Sequence, residues 1–338
     1  MGYDIETVIT HCRQAARRGT DWLLGLMRPD GAIGPAEERL FYYRVPWAFA
    51  LMGEMTAASR NLDWIRRHMF TAEGAFEGIS PQGGFEERYG SYPLACLLVG
   101  ASMLQRFDIV YPGTRRLLQW QDPNSGGLWH VWTERTPQGE QEIFPTAQGG
   151  MTFLLTGQIE AARQAGQWFK RLRELQPDWE HKLYAVWTPA GGLVTQVPAG
   201  QVEMYITRKD APWQHHFNGG IAAAFLAELF LATGEQEWLD LARDYQAFSM
   251  TSDECMFQSM QTCKSGWGAG LLWIATREPA YREWAARMGE WFCAHQFPDG
   301  HWENTKYWTP HPTTSINVEV TAEFVMHLAN LIAYLSVG

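Results

Sequence analysis

The stretch from His215 to Phe248, HHFNGGIAAAFLAELFLATGEQEWLDLARDYQAF, most limits what this chain can fold into, because it holds two helices of different kinds. Between Asn218 and Ala232 only Asn218 and Glu228 are strongly polar, and Phe217, Ile221, Phe225 and Leu229 fall at steps of four. A helix that is apolar all round must be buried on both sides. Thr233-Gly234 ends it, with glycine in the C-cap role. The next run carries Trp238, Leu241, Ala242, Tyr245 and Phe248 on one face, and Glu235, Glu237, Asp240, Arg243 and Asp244 on the other. That pattern predicts a surface helix packed through one stripe. The unit is an inner helix hairpinned to an outer one.

The unit recurs. An outer helix is expected over 4–27 with Asp4 as N-cap, closed by Pro29-Asp30-Gly31. Inner helices are expected to start near Arg44, Tyr92, Ala147, Asn218, Gly266 and Asn317, at spacings of roughly 48, 55, 71, 48 and 51 residues. Outer partners are read from Asn61, after Pro112, over 159–175, after Glu235 and over 279–297. Tyr92-Pro93 places proline in a first helical turn, where its missing N–H costs nothing. The alternating segments 121–146 and 178–216 predict β-like excursions, with two or three short strands in the second. Six apolar helices need cover from one another as well as from an outer layer. The expected fold is therefore all-α: one (α/α)6 toroid of six inner and six outer helices over 1–338, with short β excursions in its loops. An open superhelix would need a polar capping face at its end, and EFVMHLANLIAYL has none.

The net charge of −10 argues against a nucleic-acid partner. No apolar run is expected to reach about 18 residues, the length a membrane span needs, so no integral membrane segment is expected. The opening MGYDIETVITHC is unlike a signal peptide, which points to a cytoplasmic protein. The five cysteines include no CxxC pair, so neither a disulfide framework nor a metal site is expected, nor any cofactor. Seventeen tryptophans suit an ordinary core first, and otherwise sugar stacking or the stabilisation of cations; the partner expected is a hydrophobic small-molecule substrate. Nothing in the pattern fixes an oligomeric state.

In such a toroid the long loops share the face onto which the inner-helix N-termini open, and the partial positive charges of those termini favour an anion. His215 and His216 directly precede an inner helix and are candidate acid–base groups; the alternative is loop histidines bonded to backbone carbonyls. Glu319 and Glu323 stand one turn apart on the last inner helix. An apolar cavity would keep a proton on such a carboxylate; the alternative is a salt bridge to a neighbouring helix. Glu323, further from the helix N-terminus, is the better acid of the two. Glu86-Glu87 read as solvated loop charges. The candidate substrate-binding residues are Trp47, Tyr92, Tyr184, Trp187, Trp213, Phe217, Asn218, Trp267, Trp302 and Tyr307, which would line a pocket with rings.

The turns LMRPDGAIG, QWQDPNSGGLW and HQFPDGHWEN resemble the Gln…Asp-Gly…Trp repeats of the terpenoid cyclase and prenyltransferase toroids. That resemblance implies a cyclase that acts by proton transfer in an aromatic-lined cavity on an isoprenoid or polyene intermediate of natural-product biosynthesis. It is a squalene–hopene-cyclase-like pattern with room for one toroidal domain. The Asp-x-Asp-Asp acid motif is absent, and the comparable place reads His215-His216-Phe217-Asn218-Gly219-Gly220. The donor would then be His215, His216, Glu319 or Glu323. A second resemblance, of ATGEQEWLDLARDYQAF to the hairpin of unsaturated glucuronyl hydrolases and sugar 2-epimerases, implies a carbohydrate-active toroid. Cys263-Lys264-Ser265-Gly266-Trp267-Gly268 is similar to a segment of the lanthionine cyclases, whose zinc ligands this chain lacks. A non-enzymatic toroid that binds a small molecule is a further alternative.

Overall fold

The computed structural model describes residues 2–34, 43–77, 89–258, 262–303 and 312–337. Among them are thirteen α-helices and five strands of two or three residues, so the chain is all-α as expected. It forms two compact units: Leu118–Ala285, and Met1–Leu117 with Ala286–Gly338.

In Leu118–Ala285 three helices buried all round, Ile143–Leu155, Phe217–Thr233 and Lys264–Thr276, lie side by side with the second in the middle. Gly219 and Gly220 make this possible. A Cβ on Gly219 would lie 2.9 Å from the Tyr245 carbonyl oxygen, and one on Gly220 2.4 Å from that of Lys264. Two bare residues thus let the central helix touch the backbone of a neighbour on each side. Gly234 ends the helix in the left-handed region, φ 71°, as the sequence implies. The outer helix Gln236–Met250 buries Trp238, Leu239, Ala242, Tyr245, Gln246, Phe248 and Ser249. Leu239 replaces the expected Leu241, and Gln246 joins the stripe because its amide donates to the Ser265 carbonyl at 3.1 Å. Strands β1 Gln141–Glu142, β3 Val186–Thr188 and β4 Gly192–Leu193 form one antiparallel sheet, while β2 Lys182–Tyr184 pairs with β5 Ile206–Arg208. Four of the five thus fall in 178–216, where two or three were expected.

In the other unit Thr314–Leu335, Val45–Leu51 and Ser91–Met103 lie side by side, with Ile5–Gly25 packed on the first and Met55–His68 on the second. Asp4 does stand at the N-cap of the first helix, but its carboxylate accepts from the Thr7 hydroxyl at 2.6 Å rather than from a helical N–H. The outer helix expected after Pro112 already begins at Phe107, so proline lies inside Phe107–Leu118 and leaves the Asp108 carbonyl without its helical donor. Contrary to the sequence reading, Thr314–Leu335 is long and apolar enough to cross a membrane, at a mean hydropathy of 1.3 over its most apolar window. Here 67% of that window is buried in protein, so it is a core helix.

A single turn recurs after the outer helices. Bridges Met27–Ile33, Phe70–Phe76 and Gln121–Leu128 close it, and each turn has a positive-φ glycine, Gly31, Gly74 and Gly126. Gly300 occupies the same place in 295–304. A Cβ on Gly126 would lie 2.1 Å from the Gln164 carbonyl oxygen on the next outer helix. One on Gly300 would lie 2.5 Å from the Arg18 carbonyl oxygen on the first helix. The turn glutamines fasten the same junctions: Gln121 Nε2 donates to the Ala161 carbonyl at 2.8 Å and Gln296 Nε2 to that of Ala15 at 2.9 Å. The last turn therefore docks on the first helix as the others dock on their successors.

Candidate functional site

Each inner helix starts with polar side chains that are buried rather than solvated. In the N- and C-terminal unit the centre is Arg44, the N-cap residue of Val45–Leu51, 3% exposed. Its guanidinium contacts the Glu319 carboxylate directly and lies 3.1 Å from Glu323 Oε2. Its Nη2 donates to the Tyr92 hydroxyl at 2.6 Å, and the Tyr43 hydroxyl donates to Glu319 Oε1 at 2.9 Å. The guanidinium carbon sits 5.1 Å from the Tyr43 ring centre and 5.2 Å from that of Tyr92. His327 Nε2, one turn beyond Glu323, is 3.6 Å from Glu323 Oε1. Burial opposes the charge on Arg44; the Glu323 carboxylate, followed by the phenols, outweighs it and holds the guanidinium well above its ordinary range. Burial also pushes the Tyr43 phenol well above the usual value.

The surroundings of Glu319 and Glu323 therefore differ from the expected apolar wall. Both carboxylates face one guanidinium, so each is a charge partner and acceptor instead of a proton store. Two carboxylates against one guanidinium leave a formal −1 at this centre.

In Leu118–Ala285 the polar groups gather at two inner-helix starts. Glu142, fully buried at the end of β1, lies 3.0 Å from His130 Nε2. His130 Nδ1 is 3.3 Å from Glu140 Oε2, and the Tyr205 hydroxyl donates to Glu140 Oε1 at 2.5 Å. Before Phe217–Thr233, His215 stacks on the Phe217 ring with centres 4.9 Å apart. Lys264 Nζ lies 5.1 Å from the Phe217 ring centre, and Phe144 meets that ring edge-on at 5.5 Å. His216 is bonded through Nε2 to the Ala211 carbonyl at 3.0 Å, and burial lowers its pKa to about 4. It is thus a neutral imidazole near pH 7 and no imidazolium donor, which corrects half of the sequence expectation. With the proton on Nε2, Nδ1 is an acceptor, and among the described residues it has no hydrogen-bond partner. Asn218 donates to Thr207 Oγ1 at 3.3 Å, and its Oδ1 likewise has no partner there. On the same helix, burial raises Glu228 to about 7.

The aromatic candidates separate. Trp47, Tyr92, Phe217 and Trp267 are buried in the first turn of inner helices. Trp187, on β3 opposite Gln141, is 9% exposed with its indole N–H unpartnered among the described residues. Trp213 and Tyr184 are half-buried in the excursion 178–216. Trp302 is fully enclosed, stacked on Phe324 at 5.5 Å with its N–H on the Phe292 carbonyl, which makes it a core residue. Tyr307 and Glu86-Glu87 lie outside the described residues. Sequence reasoning missed His327, Glu140 and Glu142. His327 was signalled by the Glu319, Glu323, His327 spacing along one helix face; no pattern marked the other two.

No protein-family model matches the chain, and no curated protein matches it in sequence. Solved structures do match along its whole length. A D-mannose isomerase superposes with a TM-score of 0.68 at 12% identity, covering 96% of this chain and 97% of its own. An α-mannanase of glycoside hydrolase family 76 from Bacteroides thetaiotaomicron gives 0.66 at 12%, covering 97% and 98%. A type II terpene cyclase from Scytonema, in complex with geranylgeranyl dihydroxybenzoate, gives 0.58 at 11%, covering 97% and 99%. The shared fold is the α/α toroid, as the inner–outer repeat implied.

Proposed function

We propose that the protein is an enzyme that moves a proton on a polyhydroxylated, sugar-like substrate, as aldose isomerases and epimerases do. One observation carries the choice over a terpenoid cyclase: aromatic faces at the inner-helix starts already hold protein cations. Lys264 stands over Phe217, and Arg44 over Tyr43 and Tyr92. A developing carbocation needs those faces empty, because a fixed cation beside them repels it. Buried Arg, Lys, Glu, His and Asn side chains instead match a substrate rich in hydroxyls.

In this reading His215 carries the proton to and from the carbon next to the sugar carbonyl. The Lys264 ammonium stabilises the oxygen on which negative charge develops. His216 Nδ1 and Asn218 Oδ1 accept hydrogen bonds from substrate hydroxyls. The runner-up remains a terpenoid-cyclase-like isomerase or lyase, favoured by the end-to-end likeness to the Scytonema cyclase.

Incubation with a panel of aldoses in D2O, followed by NMR, is the test. Deuterium at C2 is expected, and His215→Ala should slow its uptake about 100- to 10,000-fold with an unchanged circular dichroism spectrum. Cyclisation of a polyprenyl compound with no exchange into any sugar would reverse the order of the two readings.

A further inference from the structure

The loop between Trp120 and β1 encloses an open groove of ≈ 430 Å³ lined by Trp129, Trp132, Thr133 and Arg135. Its walls are fixed. The Trp129 indole N–H donates to the Thr136 carbonyl at 3.2 Å, and Trp132 packs edge-on against buried Trp120 at 5.0 Å. Arg135 lies over the Trp132 ring, its guanidinium carbon 3.5 Å from the ring centre. Its Nε donates to the Trp132 carbonyl at 2.8 Å and its Nη1 to the Gln119 carbonyl at 3.0 Å.

Those bonds use two of five guanidinium N–H groups. Among the described residues no carboxylate lies within ion-pair distance of Arg135, in a protein with ten more acidic than basic side chains. Glu134 adjoins it in sequence, and the Glu140 carboxylate is engaged by Tyr205 and His130. A guanidinium held over an indole by two backbone carbonyls, with its remaining donors unused among the described residues, is arranged for an anion beside an apolar wall.

We infer that this groove binds a sugar ring bearing an anionic group. The Trp129 indole faces the C–H side of the ring, and Arg135, carried on Trp132, takes its carboxylate or phosphate. The ring rests on the proposed sugar reading; the charge rests on Arg135 alone.

The test is calorimetric titration of the intact protein with D-glucuronate, D-glucose 6-phosphate, D-glucose and the methyl ester of glucuronic acid. At least one of the two anions should bind about 10- to 100-fold more tightly than either neutral compound. Whichever anion does so identifies the acid group. Arg135→Met should erase the preference, and Arg135→Lys should restore part of it. The comparison of acid with ester on the unmodified protein stands even if a variant misfolds. Equal affinities for acid, phosphate, ester and glucose would overturn the assignment of Arg135 and leave the sugar reading intact. Deuterium exchange into sugars bound nowhere in this groove would do the same. Binding of none of the four, with no exchange into any aldose, would remove the sugar reading and this site together.

Discussion

The two buried polar centres solve the same problem in different ways. Around Arg44 the polar groups are bonded to one another: two carboxylates share one guanidinium, and the guanidinium and one carboxylate each bond a phenol. Around His215–Asn218 the groups are as deeply buried, yet His216 Nδ1 and Asn218 Oδ1 have no partner among the described residues. A buried polar atom without a partner costs roughly 1–3 kcal/mol. A ligand or an ordered water can supply the missing bond. Under the proposed function, the first centre braces the helices and the second is where the substrate would bind.

The largest effect that tests this contrast is on stability. Arg44→Met leaves two buried carboxylates facing each other, and urea unfolding should show a loss of about 3–5 kcal/mol. Asn218→Ala should cost less than about 2 kcal/mol, because its Oδ1 gives up no protein bond, while weakening substrate binding. Equal losses from the two variants would erase the distinction.

The repeated turn supplies a case where the two units should agree. Gly126→Ala and Gly300→Ala each combine a left-handed backbone with a clash against a helix carbonyl, and each should cost about 2–5 kcal/mol. Gly234→Ala is the calibrating variant, since its φ is positive but nothing lies within 4 Å of the added methyl group. About 1–2 kcal/mol is expected there. Thermal melts that rank Gly234→Ala beside the other two would show that the docking carbonyls are not rigid.

Titration should mark the His215–Asn218 centre and its helix. Glu228 holds its proton better folded, at about 7 against 4.5, so its contribution to stability falls as pH rises from 4.5 through 7. His216 takes a proton less readily folded, at about 4 against 6.5, so its contribution falls as pH drops from 6.5 towards 4. Urea midpoints across this range should lose their alkaline-side decline in Glu228→Gln and their acid-side decline in His216→Asn. An unchanged profile in both variants would mean that neither group titrates as its burial implies. The smallest effects belong to exposed ion pairs: Lys170→Ala and Arg17→Ala, which break contacts of 2.9 and 2.7 Å in water, should each stay within about 1 kcal/mol.

How much of this was legible in the sequence follows from the range of each interaction. The inner helices announce themselves because all-round apolarity is a local pattern, and five of the six expected starts lie within three residues of those observed. The exception, Ala147, falls four residues inside Ile143–Leu155, because Ile143 and Phe144 read as the end of the alternating segment 121–146. Proline at position 112 misled for a related reason: a chain break was inferred where helical packing tolerates one missing bond.

The candidate site was legible in part. His215, His216 and Asn218 stood out because they adjoin an apolar helix, and the structure buries all three at that helix start. The environment of Glu323 was not legible, since its partner Arg44 is 279 residues away. Burial alone predicted a protonated acid; the guanidinium makes it a charge partner. Local periodicity determined the helices, their pairing as hairpins and the turn glycines, because each depends on neighbours within a few residues. Tertiary structure alone decided which carboxylates are neutralised, which imidazole is neutral and which ring faces are taken. Those properties depend on the charges and dielectric around a group, and helices far apart in sequence set both.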